Sequence, residues 1–425
     1  MSGFYEVIPA KMPVNYNVTV PGSKSITNRA LLLAQLAHGK SVLKNVLFSD
    51  DSRGFMQCLK DLGADIAINE AAKTVEITGL AMKAQALVNV RSAGTAARFI
   101  TAMLAALEGE YIIEASEQMK KRPMRPLFDT LVNLGAKVTY LETEGFLPVK
   151  LYGAKLAGGE VSLEARQSSQ FLSAILMTGV LHENNLRITP LGAETSKSYI
   201  DITIKMMESF GVCAKRENGV YLVKAGQKYK AANYEIEPDI SAACYFYAAA
   251  LLTGGKAQVN GVRFNSMQGD IKFLEILKDM GGKITETPEG VLLEGSDSFN
   301  GIDVDMNNCS DQTMTLAAIA PFAKTPTTIR NIAHIKHQES NRVNAILTEL
   351  AKMGVKCEEI QDGIKIYPSD VKPALVETYD DHRMAMAFAL TGLRTPGIRI
   401  ANPQCCGKTF ENYFEVFASY ITRDV

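Results

Sequence analysis

The sequence has no appreciable excess of either charge. Lys and Arg number 45 and Asp and Glu number 46 among 425 residues, which gives a net charge of −1. A nearly neutral chain has no general attraction for nucleic acid or for an anionic membrane surface, and we expect neither as a partner. Any binding of anions must therefore depend on a local group of basic residues.

Long hydrophobic runs are also missing. The longest largely apolar stretches, Ala30 to Ala37 and Ala242 to Leu252, are well short of the roughly 20 residues that a bilayer requires. The N-terminal residues show neither a basic start followed by an apolar stretch nor an Arg- and Ser-rich composition, so no targeting signal is visible. We therefore expect a cytoplasmic protein.

Paired cysteines and metal-ligand spacings are missing as well. The seven cysteines are odd in number and include no C-x-x-C pair, which is typical of reduced thiols in a cytosol. The five histidines show no convincing ligand spacing with Cys or with carboxylates. The sequence therefore predicts no metal site, and we also expect no cofactor.

What the sequence does contain is an internal repeat. A helical pattern that ends in Gly and is followed by a strand-like stretch occurs five times, at intervals of 70 to 76 residues. The glycines are Gly63, Gly135, Gly211, Gly281 and Gly354. Each is expected to end a helix and to turn the chain into a strand.

A second series of segments alternates with the first. Six segments begin with small or acidic residues and then become apolar on nearly every face, which is typical of buried helices. Their starts lie near Ser25, Thr95, Ser169, Ser241, Asp311 and Asp381. The length of the chain accommodates about six such units.

The repeats are expected to group as three plus three. Pro21 and Pro238 occupy equivalent places before a buried helix, three repeat lengths apart. The sequence therefore predicts an α/β fold with two similar domains. Their expected boundaries are 1–20 with 238–425 for the first domain, and 21–237 for the second.

Basic residues at the starts of the buried helices point to anion binding. A cation is unfavourable near the positive end of a helix dipole, yet Lys24, Arg29 and Arg98 lie in first turns and Arg383 lies close to Asp381. An anionic ligand would compensate these charges. Ser, Thr or Asp at the same places, taken singly, is more often an ordinary N-cap.

Nine segments together resemble the 3-phosphoshikimate 1-carboxyvinyltransferases, also called EPSP synthases, in family order from about residue 18 onwards. The segments are PGSKSITNRA (21–30), SAGTAARF (92–99), KRPM (121–124), RQSSQFLSAIL (166–176), TSKSYIDIT (195–203), SDQTMT (310–315), QESNR (338–342), DDHRMAMAFAL (380–390) and GKTFENYF (407–414). The resemblance implies the enolpyruvyl transferase fold, with three βαβαββ-type repeats around buried helices in each of two domains.

The resemblance also implies a reaction. Members of this family transfer the enolpyruvyl group of phosphoenolpyruvate to the 5-hydroxyl of shikimate 3-phosphate and release phosphate, in the biosynthesis of chorismate and the aromatic amino acids. Both substrates are small polyanions, which explains why a nearly neutral chain concentrates cations at a few motifs. We expect these two substrates as the only partners, and a monomer.

The matched motifs assign residues to each substrate. Residues expected to contact shikimate 3-phosphate are Lys24, Ser25, Arg29, Ser168, Ser169, Gln170, Ser196, Tyr199, Asp311 and Gln338. Those expected to contact phosphoenolpyruvate are Lys24, Gly94, Arg122, Gln170, Arg342, Arg383 and Lys408. By the same resemblance, the second domain is the shikimate 3-phosphate side, and the first carries the phosphoenolpyruvate clamp and the base.

The implied proton transfers require basic and acidic groups beside the reacting atoms. Asp311 resembles the family's base next to the 5-hydroxyl. Glu339 resembles the second carboxylate, which works with Lys24 near the methylene carbon of phosphoenolpyruvate. These three residues are the expected catalytic residues.

The chain departs from the family pattern near Glu339. The family usually has Lys directly before this Glu, where the chain has Gln338, and some members have Asn at the position of His334. Gln can supply neither a cation nor a proton at neutral pH. We hypothesise that Lys336 or His337 supplies part of the missing charge, or that Asp311 and Lys24 suffice.

Two other functions compete with this one. The related enzyme that transfers enolpyruvyl to UDP-N-acetylglucosamine has the same fold, but its usual members carry a reactive Cys before the residue that Arg122 resembles, and residues 108–122 contain no Cys. A noncatalytic anion-binding relative is the other alternative, and it is motivated by Gln338. Release of phosphate from the two substrates would distinguish an enzyme from such a protein.

Overall fold

The computed structural model describes residues 3–11, 13–192 and 194–421. The chain divides into two compact units: unit 1 comprises Met1–Pro21 and Glu237–Val425, and unit 2 comprises Gly22–Ile236. Pro21 and Glu237, which the expected boundaries place in the second domain, thus belong to unit 1. The Pro21 carbonyl accepts a hydrogen bond from the Asp239 amide at 2.8 Å, and the Glu237 carboxylate accepts one from Gln268 at 3.1 Å, so local bonds hold both residues there.

The helices of unit 2 are α1 (Lys24–Leu36), α2 (Asp50–Asp61), α3 (Gly94–Ala105), α4 (Glu117–Lys120), α5 (Arg125–Asn133), α6 (Ser169–Thr178) and α7 (Lys197–Ser209). Those of unit 1 are α8 (Ile240–Thr253), α9 (Lys272–Asp279), α10 (Thr313–Ile319), α11 (Arg342–Lys352), α12 (His382–Gly392) and α13 (Tyr413–Ser419). Short 3₁₀ helices span Gly179–Leu181, Gly269–Ile271, Asn307–Gln312, Ala320–Phe322, Ala333–His337 and Pro403–Lys408. None of the helices in the described ranges is long and apolar enough to cross a membrane.

The first two strands, in unit 1, are β1 (Phe4–Glu6) and β2 (Asn15–Val18). Unit 2 contains β3 (Lys40–Lys44), β4 (Asp65–Asn69), β5 (Thr74–Thr78), β6 (Gln85–Asn89), β7 (Gly109–Glu114), β8 (Lys137–Tyr140), β9 (Val149–Gly153), β10 (Gly159–Glu164), β11 (Leu186–Leu191), β12 (Ala214–Glu217), β13 (Val220–Val223) and β14 (Asn233–Glu235). Unit 1 continues with β15 (Lys256–Asn260), β16 (Lys283–Glu286), β17 (Gly290–Glu294), β18 (Asp303–Asp305), β19 (Thr327–Arg330), β20 (Cys357–Ile360), β21 (Gly363–Ile366), β22 (Leu375–Val376) and β23 (Arg399–Ala401).

Each repeat forms a small sheet with the same topology. In the order β6-β7-β9-β8, the buried helix α3 connects two parallel strands, and an antiparallel hairpin follows α5. The orders β10-β11-β13-β12 in unit 2 and β18-β19-β21-β20 in unit 1 repeat this arrangement. The sheets β14-β3-β5-β4 and β16-β17-β15-β2 have the same strand pairing, but their parallel pairs, β14 with β3 and β2 with β15, are far apart along the chain. In the last repeat, β1-β23-β22, the strand β1 replaces the hairpin. The predicted α/β fold of two three-repeat domains is confirmed.

The buried helices form the core of each unit. In unit 1, α8, α10 and α12 pack against one another, and in unit 2, α3 packs against both α1 and α6. From Ala243 to Thr253 every residue of α8 is at most 2% exposed, as a helix that is apolar on all faces requires. All five repeat glycines have positive φ, between 74° and 125°, so their role in turning the chain is confirmed.

Gly392 tests how tightly this core is packed. A Cβ atom there would lie 2.4 Å from the Cβ of Val7, and overpacking of this kind costs about 1–3 kcal/mol. We expect Gly392→Ala to lower the melting temperature by about 2–6 °C.

Gly54 is the matched control, because it also lies within a helix but its added Cβ would meet Arg91 at an ordinary 3.4 Å. Gly54→Ala should leave the melting temperature unchanged or raise it, since Ala favours a helix by about 1 kcal/mol over Gly. Equal changes in the two variants, measured by calorimetry, would contradict the close packing at Gly392.

Candidate active site

A buried arginine organises the polar residues of unit 1. Arg342, the first residue of α11, is 1% exposed. Its Nε donates to Oδ2 of Asp381 at 2.8 Å, and its Nη1 donates to Oδ1 of Asp311 at 2.9 Å. Nη2 donates to Oε2 of Glu339 at 3.1 Å, and Gln338 also accepts a hydrogen bond from Nη1.

These contacts keep Arg342 charged despite its burial. Burial alone would lower the pKa of Arg342, but the charges of Asp381, Glu339 and Asp311 outweigh it and hold the pKa above its ordinary value. A buried guanidinium shared among carboxylates is therefore a fixed positive charge at the centre of this group.

Two further cations complete the group. Nη2 of Arg383 donates to Oδ2 of Asp311 at 2.8 Å and to Oγ of Ser241 at 3.3 Å. Nζ of Lys408 lies 3.7 Å from Oε1 of Glu339. We call this set the Arg342 cluster; it comprises Asp311, Gln338, Glu339, Arg342, Asp381, Arg383 and Lys408.

Local backbone features hold the Arg342 cluster in place. Asp381 is the N-cap of α12 and accepts from the Arg383 amide at 3.0 Å. The two residues before it, Tyr379 and Asp380, have φ of 55° and 53°, a conformation that costs about 1–3 kcal/mol for each such residue. The buried carboxylate of Glu349 anchors this turn by accepting from the Tyr379 hydroxyl at 2.6 Å.

Asp311 lies just outside the buried helix at which the sequence placed it. It belongs to the 3₁₀ helix Asn307–Gln312, and the N-cap of α10 is Gln312. Asp311 is therefore not the N-cap residue of α10. Its carboxylate instead joins the two guanidinium groups of Arg342 and Arg383.

A second buried arginine organises unit 2. Arg29 is 1% exposed, and its Nε donates to the Thr203 hydroxyl at 2.8 Å. Its Nη atoms donate to the Ser25 carbonyl at 3.0 Å, to the Tyr199 carbonyl at 3.1 Å and to the Ser173 hydroxyl at 3.3 Å. These oxygens are all neutral, and burial lowers the pKa of Arg29 to about 10.

Two helix N-termini lie near Arg29. Ser168 caps α6 by accepting from the Gln170 amide at 3.2 Å, and Ser169 begins the helix. Ser196, at φ 49°, is the N-cap residue of α7, which packs against α6. Serine hydroxyls and helix N–H groups together suit a phosphate.

Lys24, Gly94 and Arg122 lie on other elements of unit 2. Nζ of Lys24, at the start of α1, lies 3.7 Å from Oδ2 of the buried Asp51. A Cβ atom on Gly94, the first residue of α3, would lie 2.7 Å from Nη1 of Arg122. The absent side chain of Gly94 therefore allows the Arg122 guanidinium to approach the backbone closely.

The structure does not bring every suggested residue into these groups. Nζ of Lys336 bonds Glu359 at 2.6 Å on the surface, and His337 is exposed. Gln338 itself contacts Arg342. The hypothesis that Lys336 replaces the usual lysine therefore gains no support from its position.

Sequence reasoning missed several partners of the expected residues. They are Asp51, Ser173, Thr203 and Asp381. Asp381 had a usable signal, because it stands directly before a buried helix in the DDHR segment. No group of His, Cys, Asp and Glu suited to a metal ion occurs in the part of the chain that the structure describes.

Comparisons with known proteins identify the family. Residues 8–417 match the family described as EPSP synthase (3-phosphoshikimate 1-carboxyvinyltransferase). The chain belongs to the EPSP synthase family. The enzyme class and the fold expected from the sequence motifs are thereby confirmed.

Individual relatives of this family match along almost the whole chain. A protein of Trichormus variabilis named 3-phosphoshikimate 1-carboxyvinyltransferase is 46% identical over 419 residues, covering 97% of this chain and 98% of the relative. One of Yersinia pestis with the same name is 42% identical over 412 residues, covering 95% and 96%. The solved EPSP synthase of Acinetobacter baumannii has a TM-score of 0.83 at 26% identity, covering 98% of this chain and 97% of that one.

His334, which lies beside Ser310, makes a pH-dependent contribution to the stability of the fold. Its Nε2 lies 2.9 Å from the Ser310 hydroxyl, and burial lowers its pKa to about 4. A histidine whose folded pKa lies below its unfolded value stabilises the fold above pH 6.5 and loses that contribution as pH falls towards 4. Between pH 7.5 and pH 5 the loss is about 2 kcal/mol.

Between pH 7.5 and pH 5, we expect the free energy of unfolding of His334→Asn to fall by about 2 kcal/mol less than that of the wild type. Urea unfolding at the two pH values measures this difference. His337→Asn is the control, because His337 is exposed and its replacement should leave the pH dependence as it is. An identical loss of stability in His334→Asn and the wild type would show that His334 is not held neutral.

Proposed function

We propose that the chain transfers the enolpyruvyl group of phosphoenolpyruvate to the 5-hydroxyl of shikimate 3-phosphate, giving 5-enolpyruvylshikimate 3-phosphate and phosphate. Membership of the EPSP synthase family supports this reaction. The observation that carries the proposal is the Arg342 cluster, in which Asp311 bridges two arginines at 2.9 and 2.8 Å. Such a cluster suits both an anionic substrate and a proton transfer.

Phosphoenolpyruvate carries a carboxylate and a phosphate, which are the groups that arginine binds in bidentate fashion. Arg342 and Arg383 are buried and fixed, so little conformational entropy is lost when they bind an anion. We assign Arg122, Arg342, Arg383 and Lys408 to this substrate. The remaining proposed contacts are Lys24, Gly94 and Gln170.

Shikimate 3-phosphate requires a site for a phosphate and another for a carboxylate. We assign the phosphate to Ser168, Ser169 and Ser196, whose hydroxyls lie at the starts of α6 and α7, where helix N–H groups favour an anion. The carboxylate side is assigned to Lys24, Ser25 and Arg29. Further proposed contacts of this substrate are Gln170, Tyr199, Asp311 and Gln338.

The reaction needs two proton transfers before phosphate leaves. In the proposed first step the 5-hydroxyl oxygen bonds C2 of phosphoenolpyruvate, its proton passes to Asp311, and C3 receives a proton from Glu339 or Lys24. In the second step C3 returns that proton, the enol double bond forms again and the C2–phosphate bond breaks. Asp311 suits its role because two guanidinium groups fix the orientation of its carboxylate.

The proposed enzyme acts as a monomer in the cytoplasm. The residues of the Arg342 cluster all come from a single chain, which supports a monomer. None of the seven cysteines, all of which lie in the described ranges, forms a disulfide, and this supports a reducing compartment. Sedimentation at the mass of a dimer would overturn the first of these assignments.

The function is tested by phosphate release from phosphoenolpyruvate and shikimate 3-phosphate, with the wild type beside Gln338→Lys. We expect the wild type to be active. Gln338→Lys should lose about tenfold or more in kcat/KM, because it replaces an acceptor of Arg342 by a like charge, and a hydrogen bond to a charged group contributes about 1.5–3 kcal/mol.

Lys336→Ala is the control for this experiment. Its side chain pairs with Glu359 at the surface, so kcat and KM should stay at wild-type values. Absence of phosphate release from the wild type would overturn the proposed function. Release with UDP-N-acetylglucosamine in place of shikimate 3-phosphate would favour the related enzyme.

Gly94→Ala tests the assignment of Arg122. The added methyl group would lie 2.7 Å from Nη1 of Arg122, so the guanidinium must move. We expect the KM for phosphoenolpyruvate to rise about tenfold, which corresponds to about 1.4 kcal/mol, with little change in the KM for shikimate 3-phosphate. Gly54→Ala, in the same unit, should change neither KM, and an unchanged KM for phosphoenolpyruvate in Gly94→Ala would contradict the assignment.

A further inference from the structure

Asp270 is a buried carboxylate beside the Arg342 cluster that the family motifs do not assign. It lies in the 3₁₀ helix Gly269–Ile271 and is 4% exposed. Its Oδ2 accepts hydrogen bonds from Nε2 of Gln312 at 2.9 Å and from the Ser241 hydroxyl. A carboxylate loses its hydration when it is buried, and hydrogen-bond donors such as these offset that loss.

Two paths connect Asp270 to the residues proposed to bind and react. The Ser241 hydroxyl donates a hydrogen bond to Asp270. Its oxygen can therefore accept a hydrogen bond from Nη2 of Arg383, at 3.3 Å. Gln312 directly follows Asp311 in the chain. The oxygen of the Gln312 amide accepts from Thr315 at 3.0 Å, so both ends of this side chain are fixed.

The charge of Asp270 is close to that of Asp311. Burial raises the pKa of Asp270 to about 6, and the charge of Asp311 adds to the increase, while Arg383 opposes it. Other titratable groups near Asp270 are the thiols of Cys244 and Cys309, whose pKa burial raises, and Lys272 lies two residues further along the chain. Since the repulsion is mutual, ionised Asp270 makes the Asp311 carboxylate a stronger proton acceptor.

We propose that Asp270 is a positioning residue for the reaction: through Ser241 it orients Arg383, through Gln312 it fixes the segment that carries Asp311, and its charge acts on the Asp311 carboxylate. This role rests on the proposed function. The role has two parts, the hydrogen bonds that Asp270 accepts and the negative charge that it carries. A different substitution tests each part.

Asp270→Asn removes the charge but keeps an oxygen that can accept from both Ser241 and Gln312. We expect kcat to fall about tenfold at pH 7.5 and the acid limb of the kcat profile to move to lower pH by half a unit or more. Ser241→Ala keeps the charge but removes the acceptor for Arg383. We expect it to raise the KM for phosphoenolpyruvate about fivefold, with kcat within a factor of three of the wild type.

The melting temperature of Asp270→Asn shows whether a lower activity comes from a destabilised fold or from loss of the positioning role. The folded pKa of Asp270 exceeds its unfolded value of 3.8, so its charge destabilises the fold at neutral pH. This penalty decreases as pH falls below about 6 and is absent below 3.8. Asp270→Asn should therefore melt at or above the wild-type temperature at pH 7.5. Asp279→Asn, at an exposed position at the end of α9, is the matched control and should leave kcat, KM and the pH profile unchanged.

The outcomes distinguish this role from the proposed function. A wild type that releases no phosphate overturns the function and this role together. An active wild type whose Asp270→Asn variant keeps the same kcat and the same acid limb overturns the role of Asp270 alone. A lower melting temperature with an unshifted acid limb would also overturn it, because Asp270 would then be a structural residue only.

Discussion

The ionic contacts of Arg342 are the interaction on which the candidate site of unit 1 depends. Removing a guanidinium from water costs several kcal/mol, and only well-placed partners offset that cost. The partners of Arg342 come from three segments, around Asp311, Glu339 and Asp381. One buried charge therefore fixes three loops relative to one another, and a variant that lacks any of these carboxylates leaves a charge uncompensated.

The repeat explains why the candidate site residues collect where they do. Each buried helix is largely apolar along its length, and many of its polar residues lie at or near its start. Helix N-termini also present unpaired N–H groups, and the same segments therefore supply both a core and the groups that suit an anion. In unit 2 this brings Ser168 and Ser196 to the starts of packed helices; in unit 1 it brings Asp381 and Arg383 to the start of α12.

Sequence predicted the periodic features well, because they are local. A glycine that ends a helix, such as Gly211, needs only its own backbone conformation, and a helix such as α8 reveals its burial in its own composition. The partners of Arg29 could not be predicted in this way, because Thr203 lies 174 residues away and nothing in either segment specifies the pairing. Asp270 was not predicted for the same reason, because its partners Ser241 and Gln312 are distant in the sequence and contact it only in the folded chain.

Gln338 changes the charge balance around Arg342. The Arg342 cluster contains the cations Arg342, Arg383 and Lys408 and the carboxylates Asp311, Glu339 and Asp381, so it is neutral as it stands, with Asp270 as a further carboxylate behind Arg383. The lysine that is usual in the family would add a cation beside Arg342, where this chain has an amide oxygen that accepts from it. The Gln338 amide thus forms a hydrogen bond with Arg342 where a lysine would repel it. Unlike a lysine, it adds no cation that would oppose the charge of Asp270. Because the effects of separate charges add, the repulsion between Asp270 and Asp311 acts in this chain without the opposing effect that such a lysine would have.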